Sequence, residues 1–301
     1  MYSTFKDVIE KVKCLEKVTI SVAAAQDEEV MMAVQAVYEQ GLASAILVGD
    51  ASLIRPMAIK FNLPADITII DKPDVDKAAL KAVDLVRTGR AQVLMKGLIN
   101  SSNYLRAVLN QDHGLRSGSI LSHLAVFEIP GEKKLAFHAD GGMNVAPTLA
   151  DKKAILINTL NAVHKMGIKM PKVAVLTANE QVSPKMIHTV EAKALVDMGA
   201  NGELPACIIE GPIAFDVATT PDAAKHKGIV SQVSGDVDVF LLPNIEAGNI
   251  LGKTLVKYAH AKFAGLILGA TSPVILTSRS DTFEAKLNSL ALACLMASSK
   301  K

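Results

Sequence analysis

Gln92-Val93-Leu94-Met95-Lys96-Gly97-Leu98-Ile99-Asn100-Ser101-Ser102-Asn103-Tyr104-Leu105-Arg106 reads as an apolar strand that ends at a Lys-Gly pair and passes, through small polar residues, into a helix. The strand has no polar alternation, so both of its faces are buried, as in a parallel sheet covered by helices on each side. The same unit repeats outward. Upstream, strands are expected at 18–23, 45–48 and 67–70, with helices over 27–40 and 75–87. Downstream, strands are expected at 173–176, 207–209, 237–242 and 265–268, with helices near 149–166, 184–198 and 248–260. Short β-branched runs alternating with amphipathic stretches place the chain in the α/β class. One segment breaks the alternation: 121–138 holds two strand-like runs joined by Pro130-Gly131-Glu132-Lys133, the pattern of a hairpin and a domain junction. The last strand, 273–277, leads to a final helix over 282–297, with Ser280 or Asp281 as its N-cap and Glu284 in its first turn.

At 301 residues the chain has length for two domains, and 50% hydrophobic against 21% charged residues excludes disorder as the main state. Lys and Arg number 32 against 30 Asp and Glu, a net of +2, which is too balanced for a protein that coats nucleic acid or an anionic membrane. With no Trp, four Tyr and eight Phe there is little surface for stacking bases. Neither nucleic acid nor membrane is expected as a partner. Cys14, Cys207 and Cys294 are isolated, with no Cys-x-x-Cys pair and no matching histidines, so no metal site is expected and a reduced, cytoplasmic protein is. The opening residues carry acids where a signal peptide needs an apolar core, and no apolar run reaches the ~18 to 20 residues of a membrane span.

Gly248-Asn249-Ile250-Leu251-Gly252-Lys253-Thr254 follows a strand and opens a helix, yet it is one residue short of a phosphate-binding P-loop. It reads as a helix start whose N–H groups, helped by Asn249 and Lys253, attract an anion. No Gly-x-Gly-x-x-Gly follows the first strand, which removes the main support for a dinucleotide site. Isolated histidines such as His123 and His138 read as structural. Three further segments suit an anionic substrate. Lys96, Gly97, Asn100 and Ser101 put a lysine, hydroxyls and a helix dipole at the carboxyl edge of the sheet, within reach of Arg106. Asp140-Gly141-Gly142-Met143-Asn144 is a polar turn before a helix. Thr277-Ser278-Arg279-Ser280-Asp281 again joins strand to helix, with an arginine whose planar fork suits phosphate oxygens unless Asp281 or Glu284 meets it.

With these segments in place, the chain resembles the phosphate acetyl/butyryltransferase family, most closely its butyryl branch. The resemblance runs almost end to end. It is carried by Met95-Lys96-Gly97-Leu98-Ile99-Asn100 through Leu105-Arg106, Ser122-His123-Leu124-Ala125-Val126-Phe127, and Glu210-Gly211-Pro212-Ile213-Ala214-Phe215-Asp216. Leu242-Pro243-Asn244-Ile245-Glu246-Ala247-Gly248-Asn249 and Pro273-Val274-Ile275-Leu276-Thr277-Ser278-Arg279-Ser280-Asp281 follow in the same order. The resemblance implies two α/β domains of the isocitrate/isopropylmalate dehydrogenase-like kind around a cleft, residues 1–137 plus 274–301 and residues 138–273. It also implies a homodimer or higher homo-oligomer, and reversible transfer of a short acyl group, butyryl or similar, between coenzyme A and inorganic phosphate. CoA and acyl-CoA are then substrates, with no permanently bound cofactor. The family's Ser-Arg pair falls on Ser278 and Arg279, and its Lys-Gly-segment arginine on Arg106. The acetyl branch carries a carboxylate seven residues after that serine, where this chain has Ala285, so Glu284 or Asp281 substitutes or no carboxylate base is used. Alternatives left open are acetyl transfer, a metal- and NAD-dependent hydroxyacid dehydrogenase of the same fold, and a sensor of acyl phosphate.

Overall fold

The computed structural model describes residues 2–276 and 281–298. The first stretch alternates helix and strand: α1 (Phe5–Lys13), β1 (Val18–Ala23), α2 (Glu28–Glu39), β2 (Ala43–Gly49), α3 (Ala51–Lys60), β3 (Thr68–Asp71), α4 (Val75–Arg87), β4 (Val93–Lys96) and α5 (Ser101–Val108). The next holds β5 (Ser122–Glu128), β6 (Ala136–Ala139), α6 (Leu149–Lys165), β7 (Lys172–Leu176), α7 (Ile187–Ala200), β8 (Ile208–Ile213), α8 (Phe215–Thr219), α9 (Pro221–His226), β9 (Val239–Leu241) and α10 (Ile245–Tyr258). The last comprises β10 (Lys262–Leu268), β11 (Val274–Ile275) and α11 (Phe283–Ser298). These elements gather into two compact units, Phe5–Ser119 with Phe263–Lys301, and Met1–Thr4 with Ile120–Lys262.

In the first unit the strands run β3-β2-β1-β4-β11-β10. All neighbours are parallel except β10 against β11. β1 and β4 expose almost nothing on either face, as their uninterrupted apolar sequences require. α11 has no amphipathic stripe, and a helix that is apolar all round must be enclosed. It is: every residue from Ala285 to Ala297 is buried, with α1 and α2 packed against it. Its one buried cation, Lys286, is met by Glu29 of α2 and by the Asp281 carbonyl at 2.9 Å. The Thr282 hydroxyl accepts from Ala285 N at 3.2 Å and so caps α11. This corrects the assignment of Asp281 as cap; Ser280 lies outside the described residues.

In the second unit the order is β5-β6-β9-β7-β8. The expected hairpin is present as the antiparallel pair β5–β6, with Val126 opposite Phe137. The remaining pairs are parallel. Helix α10 differs from expectation. It starts at Ile245 rather than near Gly248, because the Asn244 carboxamide oxygen accepts from Ala247 N at 2.9 Å and sets the cap three residues earlier. Gly248 therefore sits inside the helix, and a Cβ on it would stand 2.6 Å from the Gly141 Cα. The glycine serves helix-to-loop packing, not an anion-binding turn.

Candidate functional site

β4 ends at Lys96, and the chain turns at Gly97 under tight control from β1. Gly97 N donates to Ala23 O at 2.8 Å and Leu98 N to Ala24 O at 2.7 Å. A Cβ on Gly97 would lie 2.2 Å from the Ala24 oxygen, which only glycine avoids. Lys96 is 7% exposed, and its Nζ donates to the Gly97 carbonyl at 3.3 Å, so its charge lies beneath the turn rather than in open solvent. Helix α5 begins next. Asn100 takes the cap position, yet its side chain makes no capping bond. The caps of α2, α4, α6 and α10 all do. The first-turn N–H groups of α5 thus point outward together with the exposed Asn100 and Ser101, at the positive end of the helix dipole. Arg106 lies about 9 Å further along the helix at ~1.5 Å per residue. It is exposed and makes no ion pair among the described residues.

The register of the sheet joins this edge to the last motif. β11 runs parallel to β4 with Val274 opposite Leu94 and Ile275 opposite Met95. The two strands therefore emerge side by side, one into Lys96-Gly97 and the other toward the segment that holds Ser278 and Arg279. Those two residues lie outside the described residues. The buried Tyr104 ties the strands further, its hydroxyl donating to the Ile275 carbonyl at 3.2 Å. Beyond the segment, Asp281 is half-buried and Glu284 is exposed in the first turn of α11, while Ala285 is buried.

In the second unit, the loop from Asp140 to Thr148 leaves the end of β6 and leads into α6, which Thr148 caps through a reciprocal pair with Asp151. Asp140 is 2% exposed, and its carboxylate accepts four N–H groups: His123 N at 2.9 Å, Gly142 N and Met143 N at 2.8 Å, and Asn144 Nδ2 at 2.7 Å. Asn249 Nδ2 donates to the Gly141 carbonyl at 3.4 Å, so Asn144 and Asn249 meet the same short loop. Lys253 is one turn further along α10, exposed and away from the helix start assumed for it.

His138 is buried between Phe127 and Phe240, with ring centroids 4.9 and 4.8 Å away, and burial lowers its pKa to about 3. Packed in this way, its neutral form is the favoured one. Burial also pushes the Cys294 thiol up to about 12. Among the described residues no cluster of His, Cys, Asp or Glu could hold a metal ion. Among the same residues no helix is long and apolar enough to cross a membrane. Sequence reasoning missed a cavity of about 580 Å³ beside Pro147, Ile187, His188 and Glu191. Buried Lys152 supports its wall, donating to Glu191 at 2.5 Å and to His188 Nδ1 at 2.9 Å. Burial raises the Glu191 pKa, but the hydrogen bond and positive charge of Lys152 are the leading influence against it, and the carboxyl is held low. The only sequence signal was the i, i+3 spacing of His188 and Glu191; Lys152 comes from another helix.

The chain matches the family model described as "Phosphate acetyl/butaryl transferase" over residues 3–79 and 67–294. It is 44% identical to a phosphate butyryltransferase of Clostridium acetobutylicum over the whole of both chains. Among solved structures, a branched-chain phosphotransacylase from Enterococcus faecalis V583 superposes with a TM-score of 0.82 at 34% identity, over 93% of this chain and 99% of that one. A 4-hydroxythreonine-4-phosphate dehydrogenase from Klebsiella pneumoniae superposes with a TM-score of 0.60 at 15% identity, over 94% of this chain and 100% of that one, a likeness of fold alone.

Proposed function

The chain belongs to the phosphate acetyl/butyryltransferase family, and from that premise we propose that it transfers a short-chain acyl group, butyryl in the first place, reversibly between coenzyme A and inorganic phosphate. CoA and acyl-CoA are substrates, and no cofactor stays bound. The parallel pairing of β4 with β11 carries the proposal. It sends the Lys96-Gly97 turn and the strand leading to Ser278 and Arg279 out of adjacent positions on one sheet edge, where open α/β sheets bind ligands.

In the forward direction a phosphate oxygen attacks the thioester carbonyl carbon. The C–O bond forms, the C–S bond breaks, and the CoA sulfur leaves as thiolate. Negative charge collects on the carbonyl oxygen and on the phosphate, so fixed cations and donors facing it lower the barrier. Arg279 and Arg106 hold phosphate, and the uncapped N–H groups after Asn100, with Ser101, face the developing oxyanion. Holding phosphate beside the carbonyl also removes the entropy cost of bringing two reactants together. In reverse the nucleophile is the CoA thiol, with a free pKa near ~8.5 as for a cysteine thiol. Ser278 bonds the sulfur, and Asp281 or Glu284 accepts its proton.

The finer features belong to the same proposal: two α/β domains of the isocitrate-dehydrogenase-like kind, a homodimer, and a cytoplasmic location. The two compact units of the chain support the first. The decisive assay mixes protein, butyryl-CoA and phosphate and follows free thiol. Phosphate-dependent thiol release is expected, and its absence overturns the proposal. A comparison of kcat/KM across acyl-CoA lengths and branching then ranks the acyl groups, since one methylene is worth only ~1–3 kcal/mol in a pocket.

A further inference from the structure

We propose that Lys286 is a positioning residue for the reaction: its buried ammonium, steered by Glu29, fixes the main chain at Asp281, where the segment carrying the Ser-Arg pair enters α11. The inference rests on the acyl transfer proposed above, with that pair and Asp281 in its site. Every residue it needs lies in the compact unit that holds the Lys96–Arg106 edge. Lys286 is 3% exposed, in a helix whose other buried positions from Ala285 to Ala297 are apolar apart from Asn288 and Ser289. Its Nζ pairs with Glu29 of α2 and donates to the Asp281 carbonyl at 2.9 Å.

Stability does not account for a lysine at this position. Burial strips the ammonium of its hydration, and an ion pair seldom offsets that loss better than a packed apolar side chain would. Its place in the opening turns of α11 adds a second cost, because a helix N-terminus disfavours positive charge. Glu29 meets neither cost, since it lies in the first turn of α2 and is 57% exposed. What the lysine does is local. The Asp281 carbonyl stands outside the ladder of α11, which opens with Lys286 N donating to the Thr282 carbonyl at 3.1 Å. A half-buried carbonyl at a helix entrance needs a donor, and the ammonium supplies it. With Glu29 drawing that ammonium from the α2 side, the peptide between Asp281 and Thr282 is held in one orientation. Upstream of the Ser-Arg pair, the buried Tyr104 hydroxyl holds the Ile275 carbonyl at 3.2 Å. Described residues on both sides of the pair are thus fixed by side chains from other parts of the fold. A reaction that gains from reactants held in register needs such anchoring.

Lys286→Met keeps the aliphatic stem and removes the charge, which separates stability from positioning. Its urea midpoint is expected to equal or exceed that of the wild type. Thiol release from butyryl-CoA and phosphate is expected to fall about tenfold in kcat, with both KM values within about twofold of wild type. Lys286→Arg keeps a cation that can reach the Asp281 carbonyl, and its kcat is expected within about threefold of wild type. Wild-type thiol release tests the acyl transfer itself, and the variants, scored relative to it, test the inference. Wild-type kcat in Lys286→Met overturns the proposal. So does a loss that disappears once rates are scaled to the folded fraction, or one that arginine does not recover. If Lys286→Met does not fold, Glu29→Ala at its exposed position decides, because it frees the ammonium from α2, and an unchanged kcat in that variant is fatal.

Discussion

Gly97 and Arg106 contribute to the sheet edge in opposite ways, one by having no side chain and the other by holding a charge in the open. A methyl group at Gly97 meets the Ala24 oxygen at 2.2 Å, a backbone atom that cannot yield without pulling β1 from β4. Gly97→Ala is therefore expected to cost about 1–3 kcal/mol, as for overpacking, and to displace the turn after Lys96. A lower unfolding midpoint together with reduced thiol release checks this; unaltered activity shows that the turn tolerates displacement. Arg106 makes no ion pair among the described residues and is exposed, so its removal should leave the melting temperature within a degree or two. Arg106→Ala should nonetheless lower kcat on the order of 10²-fold if its guanidinium meets charge in the transition state. Arg106→Lys should recover part of that loss, because a point charge replaces the fork without reproducing it. Full activity in Arg106→Ala would remove it from the mechanism.

Helix and strand types were legible wherever periodicity was strong. The expected β1 and α4 coincide with the observed Val18–Ala23 and Val75–Arg87. Ends set by a single hydrogen bond were not legible. Asn244 and Thr282 each compete with nearby polar residues for the cap, and composition does not say which one the chain's path lets reach the N–H three residues on. That is why α10 starts earlier and α11 later than the spacing indicates. Thr282→Ala removes the hydroxyl that accepts from Ala285 N at the start of α11, and a stability loss of about 1 kcal/mol is expected, read as a lower urea midpoint with unchanged m-value. An unchanged midpoint would mean that burial of the α11 body, rather than its cap, holds the first turn in place. The same limit explains the candidate site. Lys96, Gly97, Asn100, Ser101 and Arg106 are neighbours in sequence and were read together. Among the donors that Asp140 gathers, His123 N arrives from a different strand, β5, which adjacency in sequence does not show.

For the whole chain, long-range pairing is what the sequence left unread: the placement of β11 beside β4 and of Phe240 against His138 join residues more than a hundred positions apart. The His138 environment has a measurable global consequence. In the unfolded chain His138 has an ordinary pKa near 6.5, and in the folded protein burial depresses it to about 3. Between those values the unfolded state binds the proton and the native state does not, so stability rises with pH across this window and falls as pH drops. Above about pH 6.5 the residue contributes no slope. Below it the loss approaches 1.36 kcal/mol per pH unit, or about 2.7 kcal/mol at pH 4.5 from this one imidazole. Asp84 and Asp236, lowered by their hydrogen bonds with Arg87 and Lys81, and with Lys134 and Lys172, respectively, add losses of the same sign, but only as pH falls through the carboxylate range. Titration between pH 6.5 and 5 therefore isolates the histidine contribution. Urea unfolding at half-unit steps should show a slope there that His138→Phe, apolar and able to pack with Phe127 and Phe240, removes. Equal slopes in both proteins would assign the acid sensitivity to another group and remove His138 as its source.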